Sequence, residues 1–370
     1  MNSKSLLFIC VLATVSCTPS LKEKGWVPEV RTSLNTILKE EADRDNYAVF
    51  DFDKTSVVGD ISQALWVYQI ENLRFADAPS HAFLDGIPDP DKMLEGVGMT
   101  SAQMGAVLQD EYMEMKAVLG SGESIKNIRK SDTYLDFRAR MYSFLVALDE
   151  NFPQEVGYIW MPGLLTGYTH EEATQVVKDA VKEHIGKDKP GYENWISPDG
   201  RWGGPVERGL YFSPEMKELY KCLSKSGITP YVCSASHELV VEALACDPVL
   251  GPGLPPEQVF GLRSVTGERF TAEYDRTYPQ PMKEGKVLCI NEMIATRHGG
   301  KEPVIVGGDS GGDVPMLTAY PDTRGSLIID VCRPAESAIG RLISKSREGD
   351  GRYLVQPNFI TYPIPEGGGI

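Results

Sequence analysis

Asp51 and Asp53 stand two positions apart directly after an apolar run, Tyr47 to Phe50, and are followed by Lys54 and Thr55. Carboxylates so placed can divide labour, one attacking an electrophile while its neighbour gives and takes a proton. Far along the chain, Val304-Ile305-Val306 runs into Gly307-Gly308-Asp309-Ser310-Gly311-Gly312-Asp313, a turn carrying two more acids. Between these segments lie Ser234, which ends Tyr231-Val232-Cys233, and Lys286, within Glu284-Gly285-Lys286-Val287. Three or four carboxylates brought together repel one another without a cation, and hard oxygen donors suit Mg2+. A lysine and a hydroxyl then suit an anionic phosphoryl group.

Such residues meet only if the elements before them lie side by side. The runs ending at Phe50, Cys233 and Val306 are short and nearly all apolar, as is Leu327-Ile328-Ile329; strands of this kind are buried on both faces of a parallel sheet. Ligands of such sheets bind beyond the strands' carboxyl ends, where these polar residues stand. Trp26 to Glu40, with Pro28 in its first turn and Val30, Leu34, Ile37 and Leu38 on one face, predicts an amphipathic helix. Asp60-x-x-Gln63 opens another, and residues 60–205 are mainly helical in signal. The clearest case is Thr169-x-x-Glu172 before Ala173, Val176, Val177, Ala180, Val181 and Ile185, closed by Gly186. Residues 186–209, rich in Gly and Pro, predict a loop returning from one domain to another. Helices from Pro214 to about Ser226 and from Glu238 then alternate with strands at Tyr231 and at Val259 to Leu262, and Lys286 is expected just before a helix. The expected fold is α/β, a doubly wound parallel sheet from residues 17–59 and 206–370, with a large, mainly helical cap, residues 60–205, inserted after the first strand.

In order, these segments resemble the four motifs of the haloacid dehalogenase superfamily of phosphohydrolases, over about residues 45–60 and 210–335. Asp51-Phe52-Asp53-Lys54-Thr55 is similar to DxDx[TV], the Tyr231 strand ending in Ser234 to motif two, Lys286 to motif three and Gly308-Asp309 through Asp313 to GDxxxD. The resemblance implies a Rossmann-like core, Asp51 as nucleophile forming an aspartyl-phosphate, and Asp53 as the acid and later the base. It also implies Ser234, Lys286 and Thr55 at the phosphate, and Mg2+ held by Asp51, the Asp53 carbonyl and Asp309. Asp313 would orient Lys286 or a metal-bound water. Because the nucleophile alone suffices for dehalogenation, Asp53 favours phosphoryl transfer. A P-type ATPase shares the Asp-Lys-Thr string but needs membrane helices. The insert between motifs one and two, and Glu257 to Phe270, resemble the phosphoserine phosphatase-like branch. A weaker resemblance, through an export signal, the Trp26 helix and Gly167 to Ala173, is to exported bacterial phosphorylcholine phosphatases.

The 370 residues carry a net charge of −15, a sign that repels phosphate backbones, so the expected partner is a small phosphomonoester and not a nucleic acid. Lys4, the apolar stretch Leu6 to Ala13 and Thr14-Val15-Ser16-Cys17 resemble a bacterial lipoprotein signal, residues 1–16, with Cys17 acylated. That predicts an exported, periplasmic or outer-membrane-associated protein, bound to membrane only through lipid. The remaining cysteines beyond Cys10 lack paired metal spacing. His237 is expected near a helix start or at the surface, and His81, His170, His184 and His298 in structural roles. Four of the five tryptophans, Trp66, Trp160, Trp195 and Trp202, fall in the cap with many tyrosines. Aromatic faces suit a quaternary ammonium such as choline, and equally suit core packing. The competing classes are a phosphoserine or broad-specificity phosphatase, a phosphotransferase or mutase, and a ligand-binding lipoprotein without catalysis.

Overall fold

The computed structural model describes residues 19–76, 83–153, 155–186 and 190–359. The signal segment with Cys17, and His81, lie outside them. In chain order the main elements are α1 (Pro28–Glu40), β1 (Asn46–Phe50), α2 (Ile61–Asn72), α3 (Ser101–Gly120), α4 (Asp132–Asn151), α5 (Glu155–Gly163) and α6 (His170–His184). After these come α7 (Pro214–Lys225), β2 (Ile228–His237), α8 (Glu238–Ala245), β3 (Val259–Leu262), α9 (Glu284–Cys289), β4 (Ile305–Gly308), α10 (Val314–Ala319), β5 (Gly325–Asp330), α11 (Ala338–Arg347) and β6 (Tyr353–Pro357).

The six strands form one parallel sheet in the order β6-β5-β4-β1-β2-β3. All five residues of β1 are buried, with Ala48 and Phe50 in one apolar cluster and Tyr47 and Val49 in another. A two-residue period with helices over both faces makes such a strand read as a solid apolar run. From β1 the chain winds outward to β2 and β3, then crosses back to β4. The reversal therefore lies between β1 and β4, where an α/β sheet opens its crevice. The doubly wound α/β architecture expected from the sequence is what the chain adopts.

The inserted region has its own apolar core, built around α3, α4 and α5, in which Trp66, Trp160, Trp195 and Trp202 are all buried. Trp66 and Trp195 lie 5.5 Å apart, ring centre to ring centre. These tryptophans are packing, which removes them as a cage for a cationic group. Helix α2 is buried almost all round: Ile61, Leu65 and Tyr68 join the sheet-domain cluster, while Trp66, Val67 and Ile70 face the cap core. Helix α6 packs Ala173, Val176, Val177, Ala180 and Val181 into the cluster that holds Val240, Val241 and Leu244 of α8.

Two expectations are corrected. Residues 186–209 are not a simple returning loop: Gly191–Ile196 and Gly203–Arg208 pair as an antiparallel hairpin. Its glycines and prolines hid a period-two pattern in which Trp195 and Val206 point inward. Lys286 lies inside α9, not before it, because that helix begins at Glu284 after Lys283, whose φ is 50° and whose side chain supplies no cap. The structure adds the sheet's edge strand β6 and a small antiparallel ribbon, Ser264–Thr266 with Phe270–Tyr274. Cys222, Cys233, Cys246, Cys289 and Cys332 are all unbridged.

The chain passes between sheet domain and cap at two short segments, Val57–Val58 and Tyr211–Phe212, which pair antiparallel. Gly59 follows with φ +86°, and a Cβ there would stand 2.3 Å from the Gly209 carbonyl oxygen. Only glycine fits this crossing.

Candidate active site

Across the reversal point, the Asp51 N–H donates to the Gly307 carbonyl at 2.9 Å, which ties the end of β1 to the end of β4. Lys286, buried on α9, donates from Nζ to Asp51 Oδ1 and to Asp313 Oδ1, each at 2.6 Å. The second Asp313 oxygen accepts from the Asp309 N–H at 3.1 Å, the Ser310 N–H at 3.0 Å and Ser310 Oγ at 2.9 Å. Asp313 is thus clamped in place to orient the lysine. Gly308 leaves room for it, since a Cβ there would lie 2.4 Å from that of Asp313. Thr55 Oγ1 lies between the two outer acids, 3.4 Å from Asp51 Oδ2 and 3.5 Å from Asp309 Oδ1.

Asp53 faces elsewhere. Its carboxylate accepts from the Ile61 N–H, at the start of α2, and from Ser236 Oγ, both at 2.6 Å. Ser62 in turn donates to Ser236 Oγ at 2.7 Å. Ser234 is fully buried, and its Oγ accepts from the Ser236 N–H at 3.1 Å. The structure therefore brings Asp51, Lys286, Asp309, Asp313 and Thr55 into one cluster, and sets Asp53 beside it on separate partners.

Burial and repulsion from Asp313 push the Asp51 carboxyl up to about 8, against the opposing pull of Lys286. Burial raises Asp309 to about 6, opposed by Arg333 and reinforced by Asp313. For Asp53, burial and the neighbouring Asp60 and Asp51 hold the carboxyl well above the ordinary range, the state a proton donor needs. Burial alone would lower the Lys286 ammonium, yet Asp313 and Asp51 together hold it above the usual lysine value.

Lys286 between Asp51 and Asp313, and Arg333 on Asp309, bring two positive charges to three buried carboxylates. Asp51, Asp309 and Asp313, all buried, each offer an oxygen, and these lie within 4.8 Å of one another. A compact, all-oxygen, charge-deficient donor set of this kind fits Mg2+.

Several residues here escaped the sequence. Ser236 follows Ser234 by two positions on β2, a same-face spacing that could have flagged it. Arg333, whose Nη2 donates to Asp309 Oδ2 at 3.0 Å, follows β5 as Asp309 follows β4, so the rule of reading past strand ends would have found it. Lys54 pairs with Glu207 of the cap hairpin, Nζ to Oε2 at 3.0 Å, a contact no local pattern announces. His237 is at the start of α8 as expected, but buried, not at the surface; burial pushes it down to about 4, with His170 adding to the shift, and its ring stands edge-on to Phe270 at 5.5 Å.

Residues 128–318 match the family model of the haloacid dehalogenase-like hydrolases. The phosphorylcholine phosphatase of Pseudomonas aeruginosa is 26% identical over 284 residues, which cover 76% of this chain and 66% of that protein, just under two thirds of its length. A solved structure from Anaerococcus prevotii, described as a conserved functionally unknown protein, superposes with a TM-score of 0.79 at 27% identity, over 90% of this chain and 93% of that one. The Asp51 loop, the buried lysine and the acidic turn thus sit on a fold shared with known proteins, and the chain belongs to the haloacid dehalogenase-like hydrolase family.

Proposed function

We propose that this enzyme is a Mg2+-dependent phosphomonoesterase that works through an aspartyl-phosphate on Asp51, with phosphorylcholine as its preferred substrate. One observation carries the chemical reading: the cluster separates two aspartates by their partners, Asp51 against a buried ammonium and Asp53 on two neutral donors, its carboxyl held well above the ordinary range by burial and by Asp60 and Asp51. The Asp51 carboxylate attacks phosphorus, the bond to the leaving oxygen breaks, and Asp53 gives that oxygen its proton. Water then attacks the acyl-phosphate phosphorus, Asp53 takes its proton, and Asp51 and inorganic phosphate are released. Lys286 and the Ser234 hydroxyl stabilise the transferring oxygens. Asp51 and Asp309, with the Asp53 carbonyl that the family resemblance implies, would hold Mg2+, which would supply charge neutralisation at phosphorus. The substrate rests on the Pseudomonas relative; phosphoserine is the second reading, from the resemblance of the insert placement.

The experiment is hydrolysis of an aryl phosphate and of phosphorylcholine, with Mg2+ or excess chelator, by wild type and Asp51→Asn. Turnover should vanish with chelator and fall on the order of 10^4-fold in the variant. Full activity in chelator defeats the metal, and wild-type rates in the variant defeat the nucleophile.

We also propose export with lipid on Cys17 and retention at a membrane by that lipid alone. Membrane fractionation of Cys17→Ala in the native host should show release into the soluble fraction; unchanged retention defeats acylation.

A further inference from the structure

The cap hairpin has two faces. One sends Trp195 and Val206 into the cap core, while the other carries Tyr192, Asn194 and Ile196, all exposed, and the largely covered Glu207. Tyr192 and Glu207 are direct cross-strand partners, so their side chains stand next to each other on that outer face. This face is turned toward the catalytic loops. Glu207 pairs with Lys54, the residue after Asp53, and its side chain is only 8% exposed. Tyr192, 39% exposed, lies within the electrostatic reach of Glu207, Lys54 and Arg333, and Arg333 itself holds Asp309. A carboxylate and an aromatic ring of the cap thus border the mouth of the phosphoryl site.

Two features of the Lys54 pair matter. The lysine sits at φ 57°, a conformation strained for any L side chain, in the loop that bears both catalytic aspartates. Its ammonium is also chemically equivalent to a small cationic head group. With Asp53 neutral as the proton donor, the charges around the site are Asp51, Asp60, Asp309, Asp313 and Glu207 against Lys54, Lys286 and Arg333. A divalent cation and a phosphate dianion cancel, so this excess of acid remains for the rest of the substrate to answer. An ammonium does so; a carboxylate would add to it.

We propose that Glu207, with Tyr192 beside it, is the subsite for a positively charged head group of the phosphomonoester, and that Lys54 holds this place in the free chain and yields it to the substrate's ammonium. The inference rests on the phosphomonoesterase reading above and names the residues that select its alcohol. A substrate of this class spans the site, phosphate at Lys286 and cation at Glu207, with Tyr192 presenting its ring to the head group. A phosphate ester of a neutral alcohol leaves the Lys54–Glu207 pair intact and gains nothing from the cap.

The test is calorimetric binding of choline to the full chain and to Glu207→Gln, Glu207→Asp and Lys54→Met. Glu207→Gln should weaken choline by about tenfold or more, since it removes the carboxylate that pairs with the cation. Glu207→Asp should retain part of the affinity. Lys54→Met should tighten choline, because it removes the internal competitor. A merely structural ion pair moves both partners' variants in the same direction, so weakening by Lys54→Met overturns the proposal. So does unchanged affinity in Glu207→Gln, or a wild type that does not bind choline. Aryl phosphate turnover by the wild type is read alongside: its absence defeats the phosphatase reading, while the choline affinities still decide this one.

Discussion

Lys286 stands 2.6 Å from both Asp51 and Asp313, and Asp53 stands on partners of its own. In the proposed mechanism that difference in company, more than any difference in residue type, divides nucleophile from acid. Ser236 belongs to this division. Its hydroxyl donates to Asp53, which favours the ionised form and so restrains a pKa that burial raises. Ser236→Ala should therefore lift the Asp53 pKa further and move the alkaline limb of the kcat profile to higher pH. The loss of positioning should lower kcat by about tenfold. An alkaline limb that stays in place would separate Ser236 from the acid. At this scale the sequence was legible where a side chain's partner is set by a strand end, as for Asp51, Asp309 and Asp313. It was illegible where the partner comes from a distant element, as for Glu207 on Lys54, because no spacing within either segment encodes their meeting.

Elements repeat the pattern. Strands β1 and β4 are legible since both faces are buried and, after Asn46 at the start of β1, the residues are apolar or glycine. The cap hairpin is not, because half of its residues face outward and its glycines and prolines read as loop. Helix α9 begins without a Ser, Thr, Asp or Asn cap, so nothing in the sequence marks its first turn or shows that Lys286 lies inside it. Within the hairpin the inward and outward faces do different work, and one residue can test that. Trp195 is fully buried against Trp66. Trp195→Ala should destabilise the protein by about 3–5 kcal/mol in urea unfolding, and should erode discrimination between phosphomonoesters more than it slows aryl phosphate. Equal loss on all substrates would mean the hairpin serves stability alone.

For the whole molecule, the acidic cluster makes stability depend jointly on pH and metal. Asp51, raised from 3.8 to about 8, and Asp309, raised to about 6, bind protons more tightly in the folded than in the unfolded chain. Their contribution is complete below the unfolded values, near pH 4, and is lost as pH rises through about 6 and then about 8. Metal-free protein should accordingly melt at lower temperature at pH 8 than at pH 5.5. Added Mg2+, by replacing the missing positive charge, should raise the transition more at pH 8 than at pH 5.5. Thermal melts in chelator and in Mg2+ across that range measure both effects, and an equal metal shift at the two pH values would contradict the assignment. One further feature reaches beyond energetics. The two crossings between sheet domain and insert, Val57–Val58 and Tyr211–Phe212, are hydrogen-bonded to each other, so everything from Gly59 to Leu210 departs and returns through a gap one ladder step wide. Seen from the parallel sheet, that stretch is an exchangeable part. Any folded unit whose ends lie about 5 Å apart, and which shelters the surface now covered by α2 and α6, can be spliced in without disturbing the register of β1. On the proposed mechanism, descent can then trade one alcohol for another by swapping a module, leaving Asp51 untouched.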